Sequence, residues 1–228
     1  MRTLFILLLA LLVMPVQATT LEKELGLTVL PTQTHPEQPM VVFLSGDGGW
    51  AALDKGLSRE LQLRGMPVVG WSSLHYYWHA KTPDQAAQDL SRLLESYQAR
   101  WHRQTWLLVG FSFGAEIVPF VIHRLPAEQQ ASLVGAVMLS PSTASDFEIH
   151  VSDIVSSSKS SRYLTQPEVT AISKVPMLCM QGRDDDDDDR LCPLLAQPNV
   201  STITLDGGHH FVDDYPLLAN QIVKGLHL

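Results

Sequence analysis

The chain has 228 residues, of which 45% are hydrophobic and 18% charged, and its formal net charge is -8. That is enough apolar material for one α/β domain with a full core rather than two small ones. The acidic balance, with no run of Lys or Arg, sets aside phosphate-backbone binding, so no nucleic-acid partner is expected.

Met1 to Ala18 begins with one cation, Arg2, continues as an apolar run from Leu4 to Met14, and leaves through the small-residue exit Val16-Gln17-Ala18. This is the grammar of a cleaved signal peptide, with cleavage expected after Ala18. The run is shorter than the roughly 20 residues that span a bilayer. The remainder, 19–228, is expected to be one exported domain. Cys179 and Cys192 are the only cysteines. An even number in an exported chain predicts a disulfide between them.

Beyond the leader, short apolar runs alternate with longer amphipathic stretches, the pattern of βαβ units around a mostly parallel sheet. Strands are predicted at Met40 to Ser45, Pro67 to Ser72, Trp106 to Phe111, Leu133 to Ser140, Val175 to Gln181 and Ser201 to Leu205. Helices are predicted at Leu53 to Arg64, Pro83 to Arg103, Phe113 to Arg124 and Tyr215 to Leu226. Thr82-Pro83-Asp84 supplies a cap and a first-turn proline for the second of these. Pro119 lies inside the third, where it is expected to kink the axis or shift its start. Thr143 to Ser173 breaks the rhythm and reads as an insertion between two strands, in the position of a substrate-facing lid or a solvated excursion.

The first strand runs into Ser45-Gly46-Asp47-Gly48-Gly49-Trp50, a glycine-rich turn able to aim backbone amides at a ligand. It lacks the lysine and hydroxyl of a phosphate-binding loop. After the second strand come His75, Tyr76, Tyr77, Trp78 and His79; Trp50, Tyr76 and Trp78 are expected to wall a substrate pocket. His75 and His79 are four apart, but no Glu follows His75 in the H-E-x-x-H manner, and no metal or other cofactor is assigned.

The third strand stops at Gly110-Phe111-Ser112-Phe113-Gly114, the G-x-S-x-G spelling of a nucleophile elbow. A turn that tight requires glycines on either side of the serine and presents its hydroxyl to a cleft. Acyl transfer by serine needs a base and an acid that orients it, in the chain order Ser, Asp/Glu, His for this fold. Both follow in that order. Gly182-Arg183 leads into Asp184 to Asp189, where the spacing from the turn glycine selects Asp185, with Asp187 as the alternative. Asp206-Gly207-Gly208-His209-His210-Phe211 follows the last strand. Its Gly208, and Pro216 seven residues past the first histidine, favour His209 as the base over His210. The oxyanion would be held by the amide of Phe113 and by that of Asp47 or Gly48.

Leu44 to Trp50, Val69-Gly70-Trp71 through Trp78, Lys81-Thr82-Pro83, Gly110 to Glu116, Phe147-Glu148-Ile149-His150 and Gly208 to Phe211 together resemble the bacterial virulence protein VirJ/AcvB family, in its short single-domain form. The resemblance covers nearly all of the mature chain. It implies an α/β-hydrolase fold, a periplasmic location, and a serine hydrolase acting on aminoacylated phosphatidylglycerol, particularly the lysyl form, at the membrane surface. It implies Ser112 as nucleophile, an acid in the region after Gly182 and a base in the His209/His210 pair. It also links the chain to type IV secretion components as partners. The run of aspartates departs from the mixed acidic loop usual in the family, which bears on the identity of the acid.

Overall fold

A computed structural model describes residues 16–149, 163–185 and 189–228. The leader before Val16, Asp187 and the middle of the expected insertion lie outside the described residues. In chain order the elements are α1 (Val16–Leu25), β1 (Leu27–Leu30), β2 (Met40–Leu44), α2 (Ala52–Leu63), β3 (Val68–Trp71), α3 (Ser73–Tyr76), α4 (Pro83–Trp101), β4 (Trp106–Phe111), α5 (Phe113–Arg124) and α6 (Ala127–Ala131). They continue with β5 (Leu133–Leu139), β6 (Ala144–Ser145), β7 (Tyr163–Leu164), α7 (Thr165–Ala171), β8 (Met177–Gly182), β9 (Val200–Leu205) and α8 (Tyr215–Leu226), with a short 3-10 turn at Cys192–Leu194. No helix among the described residues is long and apolar enough to cross a membrane.

Seven strands form one sheet in the order β1-β3-β2-β4-β5-β8-β9. All neighbours pair in parallel except β1, which runs antiparallel to β3. Parallel strands covered on both faces must be apolar throughout, and every residue of β2, β3 and β4 is buried. On one face Leu90, Leu94, Ile117 and Val121 of α4 and α5 close over Val42, Leu108 and Met138. On the other, Leu57, Leu61 and Ile222 of α2 and α8 close over Val41, Leu107 and Leu178. This is the α/β-hydrolase arrangement, with β4 at its centre.

The start of α4 is fixed by its sequence. Thr82 accepts the amide of Gln85 at 3.1 Å, and the Gln85 side chain accepts the amide of Thr82 at 2.9 Å, a reciprocal cap. Pro119 neither breaks α5 nor moves its start: the helix runs unbroken from Phe113 to Arg124. The proline removes the N–H that the Ala115 carbonyl would have accepted.

The expected insertion does leave the sheet between β5 and β8, but its two described ends are held in the core rather than solvated. Phe147 is fully buried, with ring contacts to Tyr77 and Phe120 at 5.9 and 5.2 Å, and Val169 of α7 is buried as well. Burying an aromatic side chain of that size stabilises by roughly 1.5–3 kcal/mol, which ties both ends of the excursion to α5.

Cys179 of β8 and Cys192 form the expected disulfide. It closes a loop of 13 residues' separation that contains the acidic run. Loop-closure entropy assigns such a bridge about 3 kcal/mol. Cys192→Ser is therefore expected to lower the unfolding free energy by about 3 kcal/mol in a denaturant titration. The bridge leaves the loop after β8 with less freedom to drift from the active edge.

Candidate active site

At the carboxyl end of β4 the chain turns into α5 through Ser112, whose φ is 51° and ψ is -121°. For a non-glycine residue this backbone costs of order 1–3 kcal/mol and is kept only where surrounding structure enforces it. Here the enforcement is visible. The Ser112 amide donates to the Leu139 carbonyl at 2.8 Å. A Cβ at Gly110 would collide with the Gly114 carbonyl, and one at Gly114 with the Leu44 carbonyl. The two glycines are required because helix α5 starts pressed against β2 and against its own strand.

Two further loops meet this turn. Gly182 at the end of β8 packs so closely on the carbonyls of Gly207 and Gly208 that a side chain there has no room. Arg183 and Asp184 donate their amides to Leu205 and Gly207 at 2.7 and 2.9 Å. The loops after β8 and β9 are thus laced together, which sets Asp185 opposite His209. Asp185 Oδ2 lies 3.2 Å from His209 Nδ1, and His209 Nε2 lies 2.9 Å from Ser112 Oγ. Asp185 is only 4% exposed despite standing in a run of six aspartates. An ionised carboxylate only accepts hydrogen bonds, so Nδ1 carries the proton. In the neutral ring Nε2 is then the acceptor, facing the serine hydroxyl.

His210 is turned away. It is exposed and its ring rests on Phe111 at 5.1 Å between centroids. His209 packs on the same ring at 5.4 Å and edge-on to His210 at 5.6 Å. Asp187 falls outside the described residues.

Phe113 is the first residue of α5, and its amide has no carbonyl one turn back within the helix to accept it. Across the cleft, the position of a Cβ on Gly46 lies 3.5 Å from Ser112 Cβ and 3.3 Å from the Phe111 ring. Gly46 therefore borders the nucleophile, and the next amide along is that of Asp47. Gly48 looks into open space, with nothing within 4 Å of its Cβ position. The turn is closed by the Gly49 amide on the Gly46 carbonyl at 3.0 Å. Ser73 at the start of α3 binds it from below, donating its amide to Ser45 Oγ at 2.9 Å.

The aromatic residues expected to wall a pocket fall in two places. Trp50 lies over Gly70 and edge-on to Phe43 at 5.7 Å, on the face of the sheet covered by α2 and α8. Tyr76 and Trp78 line a cavity of 670 Å³ with Ser72, His75, Lys81 and Asp89, and none of its described lining residues is Ser112, Asp185 or His209. The physical reason is lateral distance. Tyr76 and Trp78 follow β3, which is two strands from β4 in the sheet, about 10 Å at the usual strand spacing.

One supporting contact had no sequence signal. Ser140, just past β5, donates its hydroxyl to the His209 carbonyl at 3.0 Å, steadying the histidine loop from the end of that strand. A second is Asp54 in the first turn of α2, which is buried although acidic residues at helix starts are ordinarily solvated. Its Oδ2 accepts the amide of Ala51 at 2.9 Å.

Residues 38–228 match the sequence profile of the family described as bacterial virulence protein (VirJ). The chain belongs to the VirJ family. A search of the curated proteins gives no match. Among solved structures, this VirJ family member is similar to Est1E from Butyrivibrio proteoclasticus. That match has a TM-score of 0.61, 13% identity and coverage of 89% of this chain and 93% of that one. It is also similar to an esterase from Pyrococcus furiosus, with a TM-score of 0.62, 16% identity and 83% and 80% coverage. A predicted CIB-like hydrolase from Thermoplasma acidophilum matches with a TM-score of 0.57, 13% identity and 89% and 92% coverage. At these identities the likeness is one of fold, and it extends the α/β-hydrolase architecture to this VirJ family member over most of its length.

Proposed function

We propose that this protein is a periplasmic serine hydrolase that cleaves the aminoacyl ester of aminoacyl-phosphatidylglycerol, releasing the amino acid and phosphatidylglycerol. The observation that carries the reading is the hydrogen-bonded line from Asp185 through His209 to Ser112 at the mouth of a strained elbow. In this reading Ser112 Oγ attacks the ester carbonyl while His209 Nε2 takes its proton. Asp185 keeps the imidazole in the tautomer that can accept and stabilises the imidazolium once formed. The amides of Phe113 and Asp47 hold the tetrahedral oxyanion. The imidazolium then protonates the departing lipid hydroxyl, and water repeats the sequence on the aminoacyl-serine.

The lipid substrate rests on the family resemblance, and it agrees with the chemistry, since the amino acid is joined to the lipid through an ester. The periplasmic location rests on the leader-like first 18 residues and is supported by the Cys179–Cys192 disulfide, a bond that persists in oxidising compartments. The test is a paired assay of the mature protein on lysyl-phosphatidylglycerol vesicles and on p-nitrophenyl esters. Higher kcat/KM on the lipid, with free lysine released, is the expected result. A preference for the generic ester would replace the lipid reading with that of a general esterase, a reading favoured by the esterases among its structural neighbours.

A further inference from the structure

The 670 Å³ cavity beside α3 takes no part in the reaction sequence above, although much of its wall comes from the segment 72–81 that follows β3. One turn of chain joins it to the nucleophile. Ser72 Oγ and Leu74 Cβ, both in the cavity wall, lie 3.4 and 3.2 Å from the position of a Cβ on Gly49. The Gly49 amide donates to the Gly46 carbonyl at 3.0 Å, and Gly46 borders Ser112. The glycine-rich turn therefore touches the nucleophile at one end and the cavity wall at the other.

The polar groups of this wall are not equally available. Both of its carboxylates are engaged: Arg92 donates to the two oxygens of Glu24 at 2.8 and 3.0 Å and to Asp89 Oδ1 at 2.7 Å. The Tyr76 hydroxyl donates to Asp89 Oδ2 at 2.6 Å. Lys81 differs. Its Nζ stands 4.8 Å from the centre of the Tyr76 ring, and among the described residues it makes no ion pair and no side-chain hydrogen bond. The unspent groups are thus donors: the Lys81 ammonium, the hydroxyl hydrogen of Ser72, whose Oγ accepts the His75 amide at 3.4 Å, and the His79 ring. A second cation here would face Lys81 and carboxylate oxygens that already accept, whereas an anion would face donors.

Resting on the lipid-hydrolase reading, we propose that this cavity is the phosphodiester subsite for the phospholipid headgroup, with Lys81 as the residue that binds the phosphate. The substrate requires such a site close to the triad. Six bonds through the headgroup glycerol separate the ester carbonyl carbon from the phosphorus, about 7 Å when extended at the reach of a polypeptide, which spends three bonds per residue. The cavity lies after β3, about 10 Å along the sheet from β4, with its near wall on the Gly49 turn. A headgroup crossing that turn sets its ester at Ser112 and its phosphate at Lys81. There an ammonium makes charge-assisted hydrogen bonds to phosphate oxygens. Trp78, half exposed in the same wall, carries the amphipathic ring that settles at the headgroup level of a bilayer. An ester without a phosphate would use the triad and leave the cavity idle.

Binding is read by calorimetry in Ser112→Ala protein, so that no ester turns over, with dioctanoyl-phosphatidylglycerol, dioctanoylglycerol and inorganic phosphate as probes. Phosphatidylglycerol should bind about tenfold or more tightly than either of the others. Adding Lys81→Gln should weaken it about tenfold, while Lys81→Arg keeps it within about threefold. Equal binding of phosphatidylglycerol and dioctanoylglycerol, or phosphatidylglycerol affinity untouched by Lys81→Gln, would overturn the proposal. Inorganic phosphate bound as tightly as the lipid would overturn the lipid source and reassign the cavity to free phosphate. With Ser112 restored, Lys81→Gln should raise KM for lysyl-phosphatidylglycerol about tenfold with kcat within about threefold, a loss in kcat/KM about tenfold larger than on p-nitrophenyl butyrate. Equal losses on the two substrates would overturn the assignment of Lys81. Should Lys81→Gln not fold, amide NMR of Ser112→Ala protein decides: the Ser72, His79 and Lys81 resonances should move on addition of phosphatidylglycerol, and their indifference would overturn the site. Failure of the wild-type protein to cleave lysyl-phosphatidylglycerol would count against the lipid-hydrolase reading alone, since the calorimetry needs no turnover.

Discussion

Ser112→Ala is expected to lower turnover of any ester substrate by roughly four orders of magnitude while leaving the fold and Tm intact. The size of the effect follows from removing the only atom that bonds to substrate in this reading; what survives is the contribution of the oxyanion amides to direct attack by water. The fold should survive because the side chain is small and its one assigned hydrogen bond is to His209. The elbow strain belongs to the backbone at φ 51°, which alanine tolerates about as poorly as serine. Circular dichroism and a thermal melt beside the kinetic assay separate the two effects.

The second large effect distinguishes adjacent residues. His209→Ala should reduce kcat/KM by about 10³ or more, since both the proton acceptor and the partner of Asp185 are lost. His210→Ala removes an exposed ring resting on Phe111, and its effect should stay within about threefold, the scale of a surface contact outside the reacting set. Equal losses in the two variants would mean that the histidine loop moves between two arrangements. A larger loss at His210 would reassign the base.

Much of this site was readable in the sequence because its parts answer to local rules. Strand β4 and helix α5 fall where the apolar run and the G-x-S-x-G turn predict them, since a parallel strand buried on both faces must be a continuous hydrophobic run. The spacing from turn glycines points to Asp185 and His209. The structure explains that regularity, for Gly182 packs directly against the Gly207 and Gly208 carbonyls.

The features that were not legible depend on distances between strands. Leu27–Leu30 gives no strong strand signal, being four residues long and only half buried at the sheet edge. The sequence places Tyr76 and Trp78 after a strand end, but its order carries no record that β2 intervenes between β3 and β4. Ser140 reaches a carbonyl 69 residues away, a relation no window along the chain contains. Asp54 looks like an ordinary acidic residue in a helix's first turn until the fold closes over it.

The claim on which all of this depends is that Ser112 is an activated nucleophile. Treating the protein with a fluorophosphonate, digesting it and mapping the added mass tests that claim without a choice of natural substrate, because the reagent bonds covalently to a serine oxygen made nucleophilic by a neighbouring base. Stoichiometric modification of the peptide containing Ser112, abolished in Ser112→Ala and strongly slowed in His209→Ala, is the predicted result. An unmodified Ser112 in folded protein, or label found on another residue, would contradict it.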